Sequence, residues 1–434
     1  MLTTYRQALA LPGARAFSSS AFVARLPIAM IGLGIVLLIS ERTGSYALAG
    51  VLAATFQVGA AVGGLVTSRW MDQVGQARLL PALAGLHALG LIAFVAAVET
   101  DQPVAVQLVA VILAGLSQPA IGSMVRARWA HAATDGEHLR GAFALESIVD
   151  ELIFSIGPLL TAFLAFQVGL PVPILVGAVL AVAGSLVLAA QRRTQPPASG
   201  RRRASHGGER HRSALRSPGI ALMAIASLGV GGVFGSYEVS VVAFSQEAGQ
   251  PGASGIILGL WAIGSMIGGI YFGARRWHVP LPRQVMLLTG LLALVLIPAP
   301  FVRTVPLLAV STFLAGMAVA PALIAIFSLT ERLVPAAQLT EGLTWTNSGL
   351  ALGFSGGTAI AGIVVDALGT SWAFCLPFAS AAAACITATA GQSLLSRAAA
   401  GRPQPPPAVS WVDDPVPGPG PGAILDDPPT DGTK

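Results

Sequence analysis

The stretch from residue 141 to residue 163 is apolar and long enough to cross a bilayer, yet it carries Glu146, Asp150 and Glu151. At 100° per residue in a helix, Glu146 and Asp150 lie about 40° apart, whereas Glu151 points roughly 100° away from Asp150. A carboxylate near the bilayer centre costs on the order of 3 kcal/mol, and a buried leucine returns only about 0.5 kcal/mol. We therefore expect these acids to face other helices or a water-filled cavity, where a carboxylate can bind and release a proton as its surroundings change.

Two more charged side chains stand inside apolar runs. Glu238 is the last residue of a glycine-rich sequence, GVGGVFGSYE, and an isolated acid within a span is functional by default. We predict that Glu146, Asp150 and Glu238 couple transport to protons; for Glu238 the alternative is a wetted residue at a gate. Arg25 lies two residues before Pro27 in the first apolar run. It needs an anionic partner, either Asp150 or an anionic group on a substrate.

The paired acids also have a purely structural interpretation. Arg126 and Arg128 are expected at the same membrane level as the start of the fifth helix. Contacts from these arginines to Glu146 and Asp150 would hold the fourth helix to the fifth, and Arg126 is the predicted charge partner in the cavity. Glu151 is predicted to contact a neighbouring helix.

A few polar and aromatic residues fall near the middle of apolar runs. Each alone is more often a packing residue than a ligand contact, but together they are predicted to line a substrate site. An apolar wall with few polar groups suits an amphipathic small molecule. The predicted substrate-lining residues are Gln57, Gln118, Trp261, Trp345 and Asn347.

The composition is that of a polytopic membrane protein. Hydrophobic residues make up 54% of the 434 residues and charged residues 10%, whereas soluble proteins carry about 25% charge. At about 20 residues per span, twelve helices fit the length. The first run lacks a cleavage site and is predicted to be an uncleaved helix. The predicted spans are 16–39, 46–68, 79–98, 104–127, 141–165, 171–190, 219–244, 253–274, 284–302, 305–329, 342–366 and 371–395.

The basic residues predict the orientation. With the N-terminus in the cytoplasm, every Lys and Arg except Arg25, Arg42 and Arg303 falls on the cytoplasmic side. The positive-inside rule therefore predicts a multi-pass protein of the inner cell membrane with both termini cytoplasmic. This distribution explains the net charge of +5 without a nucleic-acid partner.

The sequence predicts no cofactor, no metal site and no enzymatic activity. Cys375 and Cys385 are ten residues apart, which is about 15 Å along a helix, so they can neither pair nor share a metal ion. We find no nucleotide-binding loop and no arrangement of nucleophile and base.

A basic linker divides the chain into two halves, which share a repeat. The predicted organisation is an N-terminal segment (1–15), a six-helix bundle (16–190), a cytoplasmic linker (191–217), a second six-helix bundle (218–396) and a disordered Pro-rich tail (397–434). The glycines Gly50, Gly59, Gly63 and Gly64 recur 205 positions later as Gly255, Gly264, Gly268 and Gly269. Two parallel halves related by an axis along the membrane normal form a transporter architecture, expected here as a monomer.

The segment SRWMDQVGQAR, from Ser68 to Arg78, resembles the loop between the second and third helices of the major facilitator superfamily. Asp72, Gly75 and Arg78 match that motif. The resemblance extends over nearly all of residues 14–396 and implies the twelve-helix, all-α fold of that superfamily. In the family this loop clamps the two halves in one state, so Asp72, Gly75 and Arg78 are the predicted gating loop.

The Gly157-Pro158 pair is similar to the antiporter signature in the family's fifth helix, although Thr161-Ala162 stands where two glycines are usual. The runs ARLP, LESIVDE, FGSYEV and LTEGLTW resemble bacterial members assigned to efflux. The leading hypothesis is proton-coupled export of a small organic molecule by alternating access of the two halves. The alternatives are an importer or uniporter of the same fold, and a non-transporting membrane sensor or scaffold.

Overall fold

Twelve membrane-length helices form the structure, a computed structural model that describes residues 9–133, 136–198, 217–275, 277–333 and 339–400. Every regular element in these ranges is a helix, and twelve of the helical segments are long and apolar enough to cross a membrane. The predicted all-α, twelve-helix fold is therefore confirmed. The side chains of Asp72 and Glu151, as well as most of the predicted linker and tail, lie outside the described residues.

The helices follow the predicted spans closely. They are α1 (Ala14–Thr43), α2 (Tyr46–Val74), α3 (Gln76–Glu99), α4 (Val104–Ala132), α5 (Gly136–Gln167), α6 (Val172–Ala190), α7 (Pro218–Glu247), α8 (Ala253–Ala274), α9 (Leu281–Phe301), α10 (Val305–Leu333), α11 (Leu339–Leu368), α12 (Thr370–Ala390) and α13 (Gln392–Ala400).

Four predicted spans are interrupted helices, and the two in the first half break at prolines. The helical hydrogen-bond pattern of α1 breaks at Leu26 and Pro27, and that of α4 breaks between Ser117 and Ala120. Each break contains a proline, which cannot donate a backbone hydrogen bond and disfavours helix in the residue before it. The break in α1 follows Arg25 directly.

The last predicted segment also differs from expectation. Residues 397–400, placed in the disordered tail by sequence, continue the helix α13. Leu395 and Ala399 of this helix are buried in the core of the second half. This packing explains the extra helical turn, because burial of an apolar face stabilises a short helix more than propensity does.

The glycine repeat has the same packing role in both halves. A methyl group added to Gly63 would collide with the carbonyl of Leu116 on α4, and one added to Gly268 would collide with the carbonyl of Met317 on α10. Only a residue without a side chain allows backbones to approach so closely. The repeat therefore records a shared α2–α4 and α8–α10 contact.

Replacing Gly268 with alanine should destabilise the fold measurably. The new methyl group has no space against Met317, and overpacking of this kind costs about 1–3 kcal/mol. Gly273→Ala is the matched control in the same helix, because nothing lies within 4 Å of the added methyl group. Thermal unfolding in detergent should show a lower melting temperature for the first variant alone. Equal melting temperatures would show that this helix contact is not tightly packed.

The two ends of the bundle differ in how the halves meet. We call the end that carries Ala14 and Gln191 the basic end, and the end that carries Gly44 and Gly369 the far end. Near the far end, residues of both halves share one hydrophobic cluster, which includes Ile35 and Val242. At the basic end, the clusters belong to one half each. Among the described residues, the apolar packing between the halves therefore lies toward the far end.

Candidate functional site

A chain of four charged side chains links α1, α4 and α5. Arg25 Nη2 lies 2.5 Å from Glu146 Oε2, and Arg25 Nη1 lies 2.8 Å from Asp150 Oδ1. The other oxygen of Asp150 is 2.7 Å from Arg126 Nη2. One guanidinium reaches both acids because Glu146 and Asp150 are one turn apart on a helix face. The predicted partnership of Arg25 with Asp150 is present, and Glu146 joins it.

Glu146 is the fully buried member of this group of four charged side chains. Its side chain is 0% exposed, and it also accepts hydrogen bonds from Trp129 Nε1 at 2.7 Å and from Ser18 Oγ at 3.3 Å. Asp150 is 33% exposed, and Arg126 is half-exposed. Two acids and two arginines balance in formal charge, so the cluster satisfies its own charges and needs no further ion.

Arg128 does not contact Glu146 or Asp150. Its guanidinium donates to Gln76 Oε1 at 2.8 Å, to Thr194 Oγ1 at 2.9 Å and to the carbonyl of Leu188 at 2.9 Å. The interpretation of Arg128 as a partner of Glu146 or Asp150 was therefore wrong. The side chain points away from α5 and fastens the start of the linker to the first half.

Glu238 is the acid that stands apart from these networks. Its carboxylate has no hydrogen bond or ion pair with any residue that the structure describes. Glu238 Oε1 lies 4.0 Å, and Gln57 Nε2 lies 3.8 Å, from the point where a Cβ atom on Gly32 would stand. An acid of the second half and an amide of the first half thus converge beside α1, where glycine leaves the space open.

Glu238 lies closer to the far end of its span than to the basic end. It lies nine residues before the far end of α7 at Glu247, which is about 14 Å along the helix axis. This places the carboxylate in the third of the span nearest the far end, close to the level where the two halves begin to pack together.

One row of residues along α11 shows how the halves separate between that level and the basic end. The row faces α2, and its far-end members Gly362 and Thr358 contact that helix and are buried. Toward the basic end, Ser355 is buried, Ser348 is half-buried and Thr344 is exposed. On one face of α2, Gly50 and Ala54 are buried, Gln57 is half-buried and Ala61 is exposed.

Helices α5 and α8 diverge in the same direction. Gly255 packs closely on Pro158 and Ala162 near the far end, whereas Gly273 near the basic end has open space around it. The halves therefore form a cleft that is closed at the far end and widens toward the basic end, with Glu238 and Gln57 near its closed end.

The predicted lining residues take different positions. Trp345 and Asn347 are exposed on α11 toward the basic end, and the Asn347 amide donates to the carbonyl of Leu343 at 3.1 Å. Gln118 is half-buried in the break of α4.

Trp261, by contrast, packs inside the second half. Its ring centroid is 4.6 Å from that of Tyr237 and 5.9 Å from that of Phe234. Its Nε1 atom has no hydrogen-bond partner among the described residues. The residue is buried in an aromatic core, because an indole in the middle of a span packs best between other rings.

The predicted gating loop is only partly described. Gly75 has a φ of 98° and separates α2 from α3, a conformation that glycine adopts without strain. Arg78 is exposed, and the side chain of Asp72 lies outside the described residues.

Sequence reasoning missed the polar contacts that join the halves at the far end. Asp366 of α11 accepts hydrogen bonds from Ser45 Oγ and from the backbone N–H groups of Tyr46 and Ala47, each at 2.8 Å. In the sequence, Asp366 is an ordinary acid near the end of a span, so no local signal marked it.

The sequence profile of the Major Facilitator Superfamily matches residues 17–281, which is more than half of the chain. The chain belongs to the major facilitator superfamily. No curated protein sequence matches the chain closely enough to count as a relative.

Solved structures of the superfamily share the fold at low sequence identity. The nucleoside transporter NupG is 14% identical with a TM-score of 0.64, and the match covers 88% of this chain and 98% of that one. The peptide transporter POT in complex with sulfate is 15% identical with a TM-score of 0.66, covering 90% and 95%. A bacterial homologue of the iron transporter ferroportin, in an inward-facing state, is 14% identical with a TM-score of 0.63, covering 87% and 98%. At this identity the likeness extends to the fold alone.

Proposed function

We propose that this superfamily member is a proton-coupled exporter of small amphipathic organic molecules in the inner cell membrane, working by alternating access with both termini in the cytoplasm. The observation that carries the proposal is the carboxylate of Glu238. It has no partner among the described residues and lies near the closed end of the cleft between the halves.

The orientation of the cleft supports loading from the cytoplasm. Described arginines of the predicted cytoplasmic loops, such as Arg15, Arg78 and Arg193, lie at the basic end, which the positive-inside rule assigns to the cytoplasm. The cleft widens toward this end, so a molecule from the cytoplasm can reach Gln57 and Glu238, with Trp345 and Asn347 near the entrance. Export then requires the far end to open and the basic end to close.

Among the three predicted proton-coupling acids, Glu238 has the geometry that suits the role best. A proton carrier must exchange its proton with water during the cycle, and a carboxylate without a counter-ion gains most from binding one. Glu146 instead has three donors and no exposure, which suits a residue that positions Arg25. Asp150, partly exposed between two arginines, is a second site for a proton when the helices rearrange.

The energy of one proton is sufficient for export. A proton that moves inward gains about 2.3 kcal/mol per 100 mV of membrane potential. Since about 1.4 kcal/mol corresponds to a tenfold ratio, one proton supports a roughly fifty-fold gradient at that potential, before any pH term.

The proposal is tested in inside-out vesicles with an acidic interior and a panel of fluorescent amphipathic compounds. Vesicles that contain the protein should accumulate at least one compound several-fold above empty vesicles, and an ionophore that collapses the pH gradient should abolish the difference. Accumulation only in right-side-out vesicles with an acidic exterior would indicate import instead. Transport that is unchanged after the gradient is collapsed would reject proton coupling.

A further inference from the structure

The far end is closed by a contact that neither the proposed substrate nor the proposed coupling explains. Asp366, in the last turn of α11, belongs to the second half, and its three hydrogen-bond donors, Ser45, Tyr46 and Ala47, belong to the first half. Two of the donors are backbone N–H groups at the start of α2. The carboxylate of one half therefore caps a helix of the other half.

The position of Asp366 is unfavourable for its own helix. The C-terminal end of a helix carries a partial negative charge, which disfavours an acid in the last turn, whereas the N-terminal end carries a partial positive charge that favours one. Asp366 lies three residues from Gly369, where α11 has ended, and the helix has no basic residue in its last turn. The favourable charge interaction of this carboxylate comes from α2, and it exists only while the halves are in contact.

Neighbouring contacts act at the same level. The hydroxyl of Tyr46 hydrogen-bonds to Gln246 of α7, and Gln246 Nε2 donates to Ser40 Oγ of α1 at 3.2 Å. These contacts also cross between the halves, but they join neutral groups. Asp366 is the charged member of the set, and charge-assisted hydrogen bonds are roughly twice as strong as neutral ones.

The helix N-terminus survives separation of the halves. Ser45 also caps α2 within the first half, since Ser45 Oγ accepts a hydrogen bond from Leu48 N at 3.2 Å. When the far end opens, α2 keeps this local cap and loses only the carboxylate. The contact with Asp366 is therefore separable from the stability of α2 itself.

We propose that Asp366 is the latch of the far-end gate: its carboxylate, held by the N-terminus of α2, sets the equilibrium between the state closed at the far end and the state open there. The latch acts on the conformational equilibrium with or without a substrate. Removing it favours the state that is open at the far end and closed at the basic end.

The experiment measures distances between spin labels in the full chain in lipid nanodiscs, without substrate. In a Cys375→Ser and Cys385→Ser background, Val104→Cys and Leu368→Cys report the far end, and His131→Cys and Glu331→Cys report the basic end. Asp366→Ala should raise the ratio of far-end-open to far-end-closed molecules about tenfold, and the basic-end distance should shorten in the same molecules. Asp366→Asn, which keeps one acceptor without the charge, should produce a smaller shift.

Two other variants make the result specific. Asp101→Asn removes an exposed acid at the same end of the molecule whose side chain has no hydrogen bond or ion pair with a described residue of the other half, so it should leave both distributions unchanged. Ser45→Gly removes one donor of the latch at little cost to the cap of α2, and should shift the equilibrium in the same direction as Asp366→Ala but less. Unchanged distributions in both Asp366→Ala and Ser45→Gly would overturn the proposal. Since no substrate is needed, that outcome is independent of whether the chain exports anything.

Discussion

Replacing Glu238 with glutamine should reduce the accumulation of transported compound driven by a pH gradient at least tenfold, while the protein folds normally. Glutamine has nearly the same shape but cannot carry a proton in exchange. Glu238 has no hydrogen bond or ion pair with the described residues, so the substitution removes no structural contact. It also removes the cost of holding an unpaired carboxylate away from bulk water, and stability should therefore be unchanged or slightly higher.

Two assays distinguish the coupling of transport to protons from the movement of the compound itself. Uptake by Glu238→Gln vesicles is followed with an imposed pH gradient and, separately, as exchange of labelled for unlabelled compound without a gradient. The first should be lost and the second retained, because exchange requires no net movement of protons. Glu99→Gln is the matched control, since Glu99 is a partly exposed acid near the far end, paired with Arg42. A variant that still accumulates compound as the original chain does would exclude Glu238 as the proton carrier.

Much of the fold followed from local patterns in the sequence. Hydropathy gave twelve spans, and the repeat of Gly63 at Gly268 indicated two halves that pack alike. The spacing of Glu146 and Asp150 placed them on one helix face, where a single guanidinium binds both. These features depend on the helical period and on chain length, so they are readable without the partner helices.

The remaining features depend on which helix faces which. Trp261 has the same sequence character as a residue of the cleft wall, but the crossing of α7 and α8 buries it against Tyr237. Arg128, two residues after Arg126, points about 200° around the same helix and binds the linker instead of α5. Asp366 meets α2 over 300 residues away in sequence, and no local pattern encodes that contact.

Replacing Arg25 with alanine should have the largest effect on stability. Arg25 is 2% exposed and contacts Glu146 and Asp150 of α5, the first of which is wholly buried. Its removal leaves Glu146 with a buried charge and only the two neutral donors from Trp129 and Ser18. Breaking a buried ion pair from one side costs about 3–5 kcal/mol, so the melting temperature of the purified protein should fall sharply. Arg25→Lys should be intermediate, because an ammonium group cannot reproduce the two-pronged contact of the guanidinium.

The exposed pair of Arg42 and Glu99 provides the comparison. Arg42 is 48% exposed, and exposed pairs contribute about 0–1 kcal/mol, so Arg42→Ala should change the melting temperature little. If the loss in Arg25→Ala arises from the uncompensated carboxylate, then adding Glu146→Gln should recover part of it, since the buried charge is removed together with its partner. Stability that falls further in the double variant would instead indicate that the two side chains act through separate contacts. An Arg25→Ala loss no larger than that of Arg42→Ala would mean that the four-residue charge chain does not hold α1 to α5.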